Sequence, residues 1–225
     1  MVVKADLHVH STYSPDSIIT PQDLVYYAKK YELNAVAVTD HNSVEGALRI
    51  AKETDLLIIP GIEVSSRNGH IVGLNLSEVI PRGLSVEETV ERIHIAGGIA
   101  VACHPFALFK GSLKEKVSSS FDAIETINAR AFPFGRSNRK AAEAAERFNL
   151  SRVAGTDAHY GPQIGLAYTV IDSEPNVQDI AKAIVKGRCQ PFGRPVPLIL
   201  SLQQQYQRLR RMVNKFGKAH EDDLQ

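Results

Sequence analysis

Cysteine is scarce in this chain, long apolar runs are absent and the charge is nearly balanced. Two cysteines, Cys103 and Cys189, in 225 residues are too few for a disulfide framework, and Cys103 falls in an apolar run where a thiol serves as a small buried hydrophobe. No apolar stretch approaches the roughly 18 residues of a membrane span. The first residues run into an apolar strand without a signal-peptide pattern, so no membrane partner is expected and the expected compartment is the cytoplasm. A net charge of +1 means that no long nucleic acid is demanded by charge, while a small phosphorylated substrate or a short oligonucleotide fits. What is present is 44% hydrophobic and 23% charged residues, the composition of a globular chain able to bury a large core.

The histidines carry the information. In Lys4-Ala5-Asp6-Leu7-His8-Val9-His10 an apolar strand closes on two histidines, and period-two alternation puts Asp6, His8 and His10 on one side. Two neutral ring nitrogens held by stiff backbone suit a metal ion that takes further ligands from elsewhere. Alone, the pair reads equally as two polar residues at a strand end.

The rest of the chain repeats the pattern. Thr20-Pro21 opens a helix, and Ala35–Thr39 is a buried strand ending in Asp40-His41. Ser43 caps a second helix to about Thr54. Leu56–Ile59 then leads to Gly61-Ile62-Glu63, where a carboxylate in an apolar segment is costly unless paired or on a metal. His70–Leu74 is a strand with its histidine first. Ser85 and Glu88 form a capping box for a helix to about Ala96. Ile99–Cys103 delivers His104, Asp122–Asn128 is followed by a loop with Arg130 and Arg136, and a helix runs from Ser137 to Phe148. Arg152–Thr156 then delivers Asp157-Ala158-His159, and the strand Leu166–Ile171 and the helix Val177–Lys186 complete the alternation. Such alternation predicts an α/β fold on a parallel sheet with its functional groups beyond the carboxyl ends of the strands, which is where these histidines fall.

On four motifs, Asp6-Leu7-His8-Val9-His10-Ser11, Thr39-Asp40-His41, His104-Pro105 and Gly155-Thr156-Asp157-Ala158-His159, the chain resembles the PHP family, the polymerase and histidinol phosphatase superfamily of metal-dependent phosphoesterases. The resemblance covers about residues 1–195. The Gly61-Ile62-Glu63 segment looks like the smaller branch that holds nucleoside phosphate and short-oligonucleotide hydrolases. It implies a distorted (β/α)7 barrel, a catalytic domain over residues 1–197, and two or three divalent ions, zinc, manganese or iron. His8, His10, Glu63 and Asp157 would hold one ion, Glu63, His70 and His104 a second, and Asp16, His41 and His159 a third. Many members have histidine where Asp16 stands. The catalytic centre would comprise Glu63, Asp157 and His159, acting through a hydroxide shared by two ions, with Asp40 or Asp6 orienting a ligand histidine.

Phosphate needs further donors. Arg130, within Asn128-Ala129-Arg130, is the expected clamp, with Arg136 or Arg139 beside it. Glu125 is left without a role, and His94 is read as structural. Leu198, Leu202, Tyr206, Leu209, Val213 and Phe216 recur at intervals of three and four, an amphipathic helix over residues 198–225 that packs on the barrel or its rim, joins copies of the chain or faces RNA. Two other classes compete: an amidohydrolase or deaminase, whose barrels also open with His-x-His but place a lysine between the metals, and a non-catalytic metal-stabilised module.

Overall fold

The computed structural model of the chain describes residues 1–108 and 111–222. In chain order the elements are β1 (Val2–Val9), α1 (Pro21–Lys30), β2 (Ala35–Val38), α2 (Glu45–Glu53), β3 (Leu57–Ser66), β4 (Gly69–Leu74), α3 (Val86–Ile95), β5 (Ile99–Ala102), β6 (Ala123–Asn128), α4 (Phe134–Phe148), β7 (Ser151–Gly155), β8 (Ala167–Asp172), α5 (Val177–Val185), β9 (Cys189–Gly193) and α6 (Leu198–Asp222). The sheet order is β7-β6-β5-β4-β3-β2-β1-β8-β9.

The sheet curls until β1 and the end of β7 meet. Asp157 N donates to His8 O at 2.8 Å and His10 N to Ala158 O at 2.9 Å, so β1 to β7 form a nearly closed barrel. Below this seam β8 pairs antiparallel with the amino end of β1, and β9 with β8, so the expected barrel of seven strands is extended into a sheet of nine. The expected parallel sheet also needs correction at β4, which runs antiparallel to both β3 and β5. Two residues, Arg67 and Asn68, separate β3 from β4. A parallel neighbour needs a crossover of a dozen residues or more.

An apolar layer fills the amino half of the barrel. Val3, Ala5 and Leu7 of β1 cluster with Ala35, Ala37, Ile59, Val72, Leu74, Val101, Ala123 and Val153. These come from every strand of the barrel, and only its interior is common to them all. Ile180, Ala181, Ala183 and Ile184 of α5 join the same cluster, closing that end. Outside, α1 and α2 cover β1 to β3 through Leu24, Ala28, Ala47 and Ile50, while α3 and α4 cover β3 to β6. With one end plugged, polar groups are left the carboxyl end.

Local chemistry sets the helix ends. Thr20 with Asp23, and Ser85 with Glu88, make full capping boxes. Ser43 does not cap α2: its hydroxyl accepts from Glu45 N and the cap position is Val44. Helix α4 starts at Phe134, three residues earlier than the sequence suggests. Helix α6 is tied down by Val196 and Leu200, which pack on Ala129, Ala154, Leu166 and Ala167, and by Gln204, whose Oε1 accepts from Gln163 Nε2 at 2.9 Å. Its apolar stripe is turned the other way, with Leu198, Leu202, Tyr206, Leu209 and Val213 exposed, so the stripe does not pack on the barrel. Residues 223–225 and the side chain of Phe216 lie outside what is described. Among the described residues no helix is long and apolar enough to cross a membrane.

Candidate metal centre

Each expected metal ligand arrives at the carboxyl rim, by a route that strand geometry explains. In β1 the register with β2 shifts between Asp6 and Val9, an irregularity that takes Asp6 off the face carrying the histidines. Asp6 accepts from Thr156 N, Thr156 Oγ1, Gly165 N and His8 N, tying β1 to the β7 rim and touching no imidazole. His70, at the start of its strand, reaches the same rim because β4 is reversed and pairs His70 with Ser65. Asp157 and His104 follow their strands in left-handed backbone, with φ of 57° and 32°, which turns each side chain back over the barrel mouth.

Glu63 is the hub. It is 1% exposed and its two oxygens face different partners. Oε1 lies 2.8 Å from His70 Nδ1 and 2.9 Å from His104 Nε2. Oε2 lies 3.1 Å from His10 Nε2, 3.1 Å from His41 Nδ1 and 3.5 Å from His8 Nε2. Burial alone would raise its carboxyl pKa, but the imidazoles around it, His8 first, hold it well below the usual carboxylate range. Asp157 Oδ1 lies 3.6 Å from His10 Nε2 and 4.0 Å from His8 Nε2. At the rim Asp16 Oδ2 lies 2.9 Å from His159 Nε2 and 3.5 Å from His41 Nε2.

These residues fit divalent cations. Donors about 2.1 Å from a shared ion at tetrahedral angles sit ~3.4 Å apart, and His8 Nε2, His10 Nε2 and Glu63 Oε2 are separated by 3.1–3.5 Å. His8 and His10 aim ring nitrogens at each other across 3.2 Å, an arrangement that a cation between two lone pairs makes favourable. Asp16 Oδ1 is buried without a hydrogen-bond partner, a further donor free to ligate. Among the described residues five overlapping groups bring their donor atoms within 4.8 Å of one another: His8, His10 and Glu63; His8, His104 and Asp157; His41, Glu63 and His70; Glu63, Cys103 and His104; and His10, Asp16, His41 and His159.

The residue that orients His8 is neither Asp6 nor Asp40. Asp40 accepts from Ser11 N and Ser11 Oγ, both at 2.7 Å, holding the loop after β1. Glu125, buried on β6, has Oε1 2.8 Å from His8 Nδ1. Its Oε2 accepts from His104 N at 2.8 Å and Asn128 Nδ2 at 2.9 Å. Burial works against charge on His8, yet Glu125 and Glu63 outweigh it and hold the imidazole up at about 9. The sequence leaves Glu125 without a role because regular alternation alone could not fix its face, and β6 breaks register between Glu125 and Ile127. The usable signal was the one that exposed Glu63: a carboxylate inside an apolar strand.

Arg130 does reach the centre. Its Nη1 lies 2.5 Å from His159 Nδ1 and donates to Asp157 O at 3.3 Å. With Asp16, His41, Glu63, His70, His104, Gly111, Asp157 and His159 it lines a pocket of about 250 Å³. Burial lowers its guanidinium pKa while the charges of Asp16 and Glu63 oppose that and Arg208 adds to it. Arg136 and Arg139 stay outside, exposed on α4, with Arg139 Nε 3.9 Å from Glu143. The earlier start of α4 puts Arg136 on the helix with Arg139, both solvated. His94 is structural, its Nε2 2.8 Å from Asp122 Oδ2. Among the described residues no lysine lines the pocket.

A family model described as PHP-associated matches residues 135–189. An uncharacterized protein of Methanocaldococcus jannaschii is 38% identical over 141 residues, 56% of this chain and 82% of that protein. A 5'-3' exoribonuclease of Haemophilus influenzae is 39% identical over 89 residues, which are 36% of this chain and 32% of the enzyme. A two-domain protein of Bacteroides vulgatus, described as containing a predicted PHP-like metal-dependent phosphoesterase, superposes with a TM-score of 0.68 at 19% identity. The match covers 86% of this chain and 65% of that one. The chain belongs to the PHP family of phosphoesterases.

Proposed function

We propose that the chain hydrolyses a phosphate ester of a nucleotide or short oligonucleotide, using two or three divalent ions held by His8, His10, Asp16, His41, Glu63, His70, His104, Asp157 and His159. The observation that carries this is the division of Glu63, one oxygen toward His70 and His104 and the other toward His8, His10 and His41. A buried carboxylate with two such donor sets suits a bridge between neighbouring ions. Bound in this way, the ions supply a water-derived nucleophile at neutral pH and neutralise the phosphate.

The protein groups do the remaining work. Arg130, beside Asp157 and His159 at the pocket wall, offers a planar fork to phosphate oxygens. Glu125 fixes the ring of His8 so that Nε2 faces the cluster. With the barrel closed by α5 below, this pocket opens at the rim. The exoribonuclease among the relatives supports a nucleotide substrate.

Metal analysis of the purified protein, joined to a phosphate-release screen with manganese, zinc or iron added back, tests the proposal. The screen spans sugar phosphates, nucleotides, nucleoside bisphosphates and short oligonucleotides. Two or three ions per chain with chelator-sensitive release is expected. Bound metal with every ester untouched would sink it.

A further inference from the structure

The segments that bring Asp16 and His159 to the metal pocket also wall a second cleft. Ile18 N donates to His159 O at 3.1 Å and Ser17 Oγ to His10 O at 2.8 Å, so the Asp16–Ile18 loop and the His159–Tyr160 turn form one hydrogen-bonded partition. Behind it lies a cleft of about 550 Å³ whose lining includes Tyr27, Tyr160, Gln207, Arg210 and Arg211. The metal pocket, at about 250 Å³, is small for a whole nucleotide, whereas the cleft falls within the roughly 300–1,000 Å³ of ligand sites.

The lining has the chemistry of a single-stranded nucleic-acid site. Tyr27 lies against the turn, since a Cβ on Gly161 would meet its Cε2 at 2.4 Å, and Tyr26 packs edge-on behind it with centroids 4.9 Å apart. Tyr160 stands half-buried in the same cleft. Gln207, Arg210 and Arg211 occupy positions i, i+3 and i+4 of α6, one helix face. No carboxylate among the described residues pairs with either arginine. The acid of the cleft, Asp23, is engaged by Thr20 N at 3.1 Å and Thr20 Oγ1 at 2.7 Å. One more arginine of α6, Arg208, is close enough to add to the field at Arg130, so basic groups run from the metal pocket toward this cleft. Aromatic faces beside a basic track are how proteins hold bases and phosphates without reading sequence.

We propose that this cleft is a nucleotide subsite. It holds the nucleotide next to the phosphate being cleaved, its base against Tyr160 and Tyr27 and its phosphate on Arg210 and Arg211. Resting on the phosphoesterase reading above, this makes a short single-stranded oligonucleotide the substrate rather than a sugar phosphate or a free mononucleotide.

The test is binding, read separately from turnover. A fluorescein-labelled triribonucleotide with phosphorothioate linkages is titrated into the metal-loaded full chain and followed by anisotropy. Tyr160→Ala should raise Kd at least fivefold, the lower end of the roughly 5- to 150-fold that loss of one base–aromatic stack produces, and Tyr160→Phe should return it to within twofold of wild type. The double variant Arg210→Ala, Arg211→Ala should flatten the dependence of log Kd on log salt by about 0.7 for the one phosphate that the pair neutralises. Lys140→Ala, exposed on α4, should change neither. Wild-type binding with these losses stands as support even if no ester is hydrolysed, an outcome that would remove the phosphoesterase reading alone. Tyr160→Ala and the double variant both binding within twofold of wild type, or no wild-type binding at millimolar protein, would overturn the subsite.

Discussion

Glu125 Oε1 lies 2.8 Å from His8 Nδ1, with both groups fully buried, and this contact decides which nitrogen of His8 faces the metal cluster. A proton on Nδ1 pointing at the carboxylate leaves the Nε2 lone pair directed at His10 and Glu63. Partners of this kind typically contribute 10- to 100-fold in metal affinity. Glu125→Gln should therefore weaken metal binding by roughly 10-fold or more, read by competition with a chromogenic chelator. An unchanged affinity would mean that the pair only fills space.

Glu63 makes the sharpest case for a shared ligand. Replacing one oxygen by an amide removes the charge that serves two donor sets at once. For Glu63→Gln the expected outcome is the loss of at least one ion per chain and a fall in turnover of about 100-fold or more, as expected when a group central to charge stabilisation is lost. Full turnover at saturating metal would contradict the bridging role.

Arg130 is separable from the metals because it holds none. Arg130→Ala should leave metal content intact while raising KM or lowering kcat by about tenfold. Arg130→Lys should recover little, since a single ammonium cannot reproduce the guanidinium fork. An effect under twofold would place this arginine among structural residues, bracing Asp157 O and His159 Nδ1.

The candidate donors were legible because strand ends announce themselves: an apolar run followed by histidine or aspartate recurs at His8, His41, His104 and Asp157. Glu63 stood out through the cost of a charge in an apolar strand. Alternation misled wherever the backbone departs from it. The break in β6 hid Glu125, and the break in β1 made Asp6 look like a companion of His8 and His10. Strand direction is likewise invisible until the length of the connection is weighed, which is why a parallel sheet was expected across β4. Arg136 looked like a loop residue because α4 opens on Phe134-Gly135 behind Pro133 without a side-chain cap. The cleft beside α6 could not be read at all, since its lining is gathered from α1, the turn after β7 and α6.

Gly155 tests how tightly the His8–Glu125 pair is packed. A Cβ there would sit 2.4 Å from His8 Cβ and 2.7 Å from Glu125 Oε1, both held by their own strands. Gly155→Ala should cost roughly 1–3 kcal/mol, as overpacking of a filled interior does. In a chain of this size each kcal/mol lowers Tm by about 2–4 °C, which a thermal melt resolves. An unshifted melting curve would show that β1 and β6 yield easily, and the orienting role of Glu125 would weaken with it.

Metal removal connects the site to the stability of the whole barrel. Without cations, the imidazole-rich centre rests on hydrogen bonds among Glu63, His70 and His104 and on the pairs His8–Glu125 and His159–Asp16. An ion that binds the folded chain and not the unfolded one stabilises it by about 2.7 kcal/mol at a hundred times its Kd. At about 2–4 °C per kcal/mol, chelation should lower Tm by roughly 5–11 °C, and restoring the ion should recover it. Ligands drawn from β1, β3 and the β7 rim stitch the seam where Asp157 N meets His8 O, so protection of those amides from hydrogen exchange should fall with the metal while that of α3 is held. A chelator-treated protein with the melting point and seam protection of the untreated one would show that these donors hold no ion in solution, and the metal-dependent reading would fall with it.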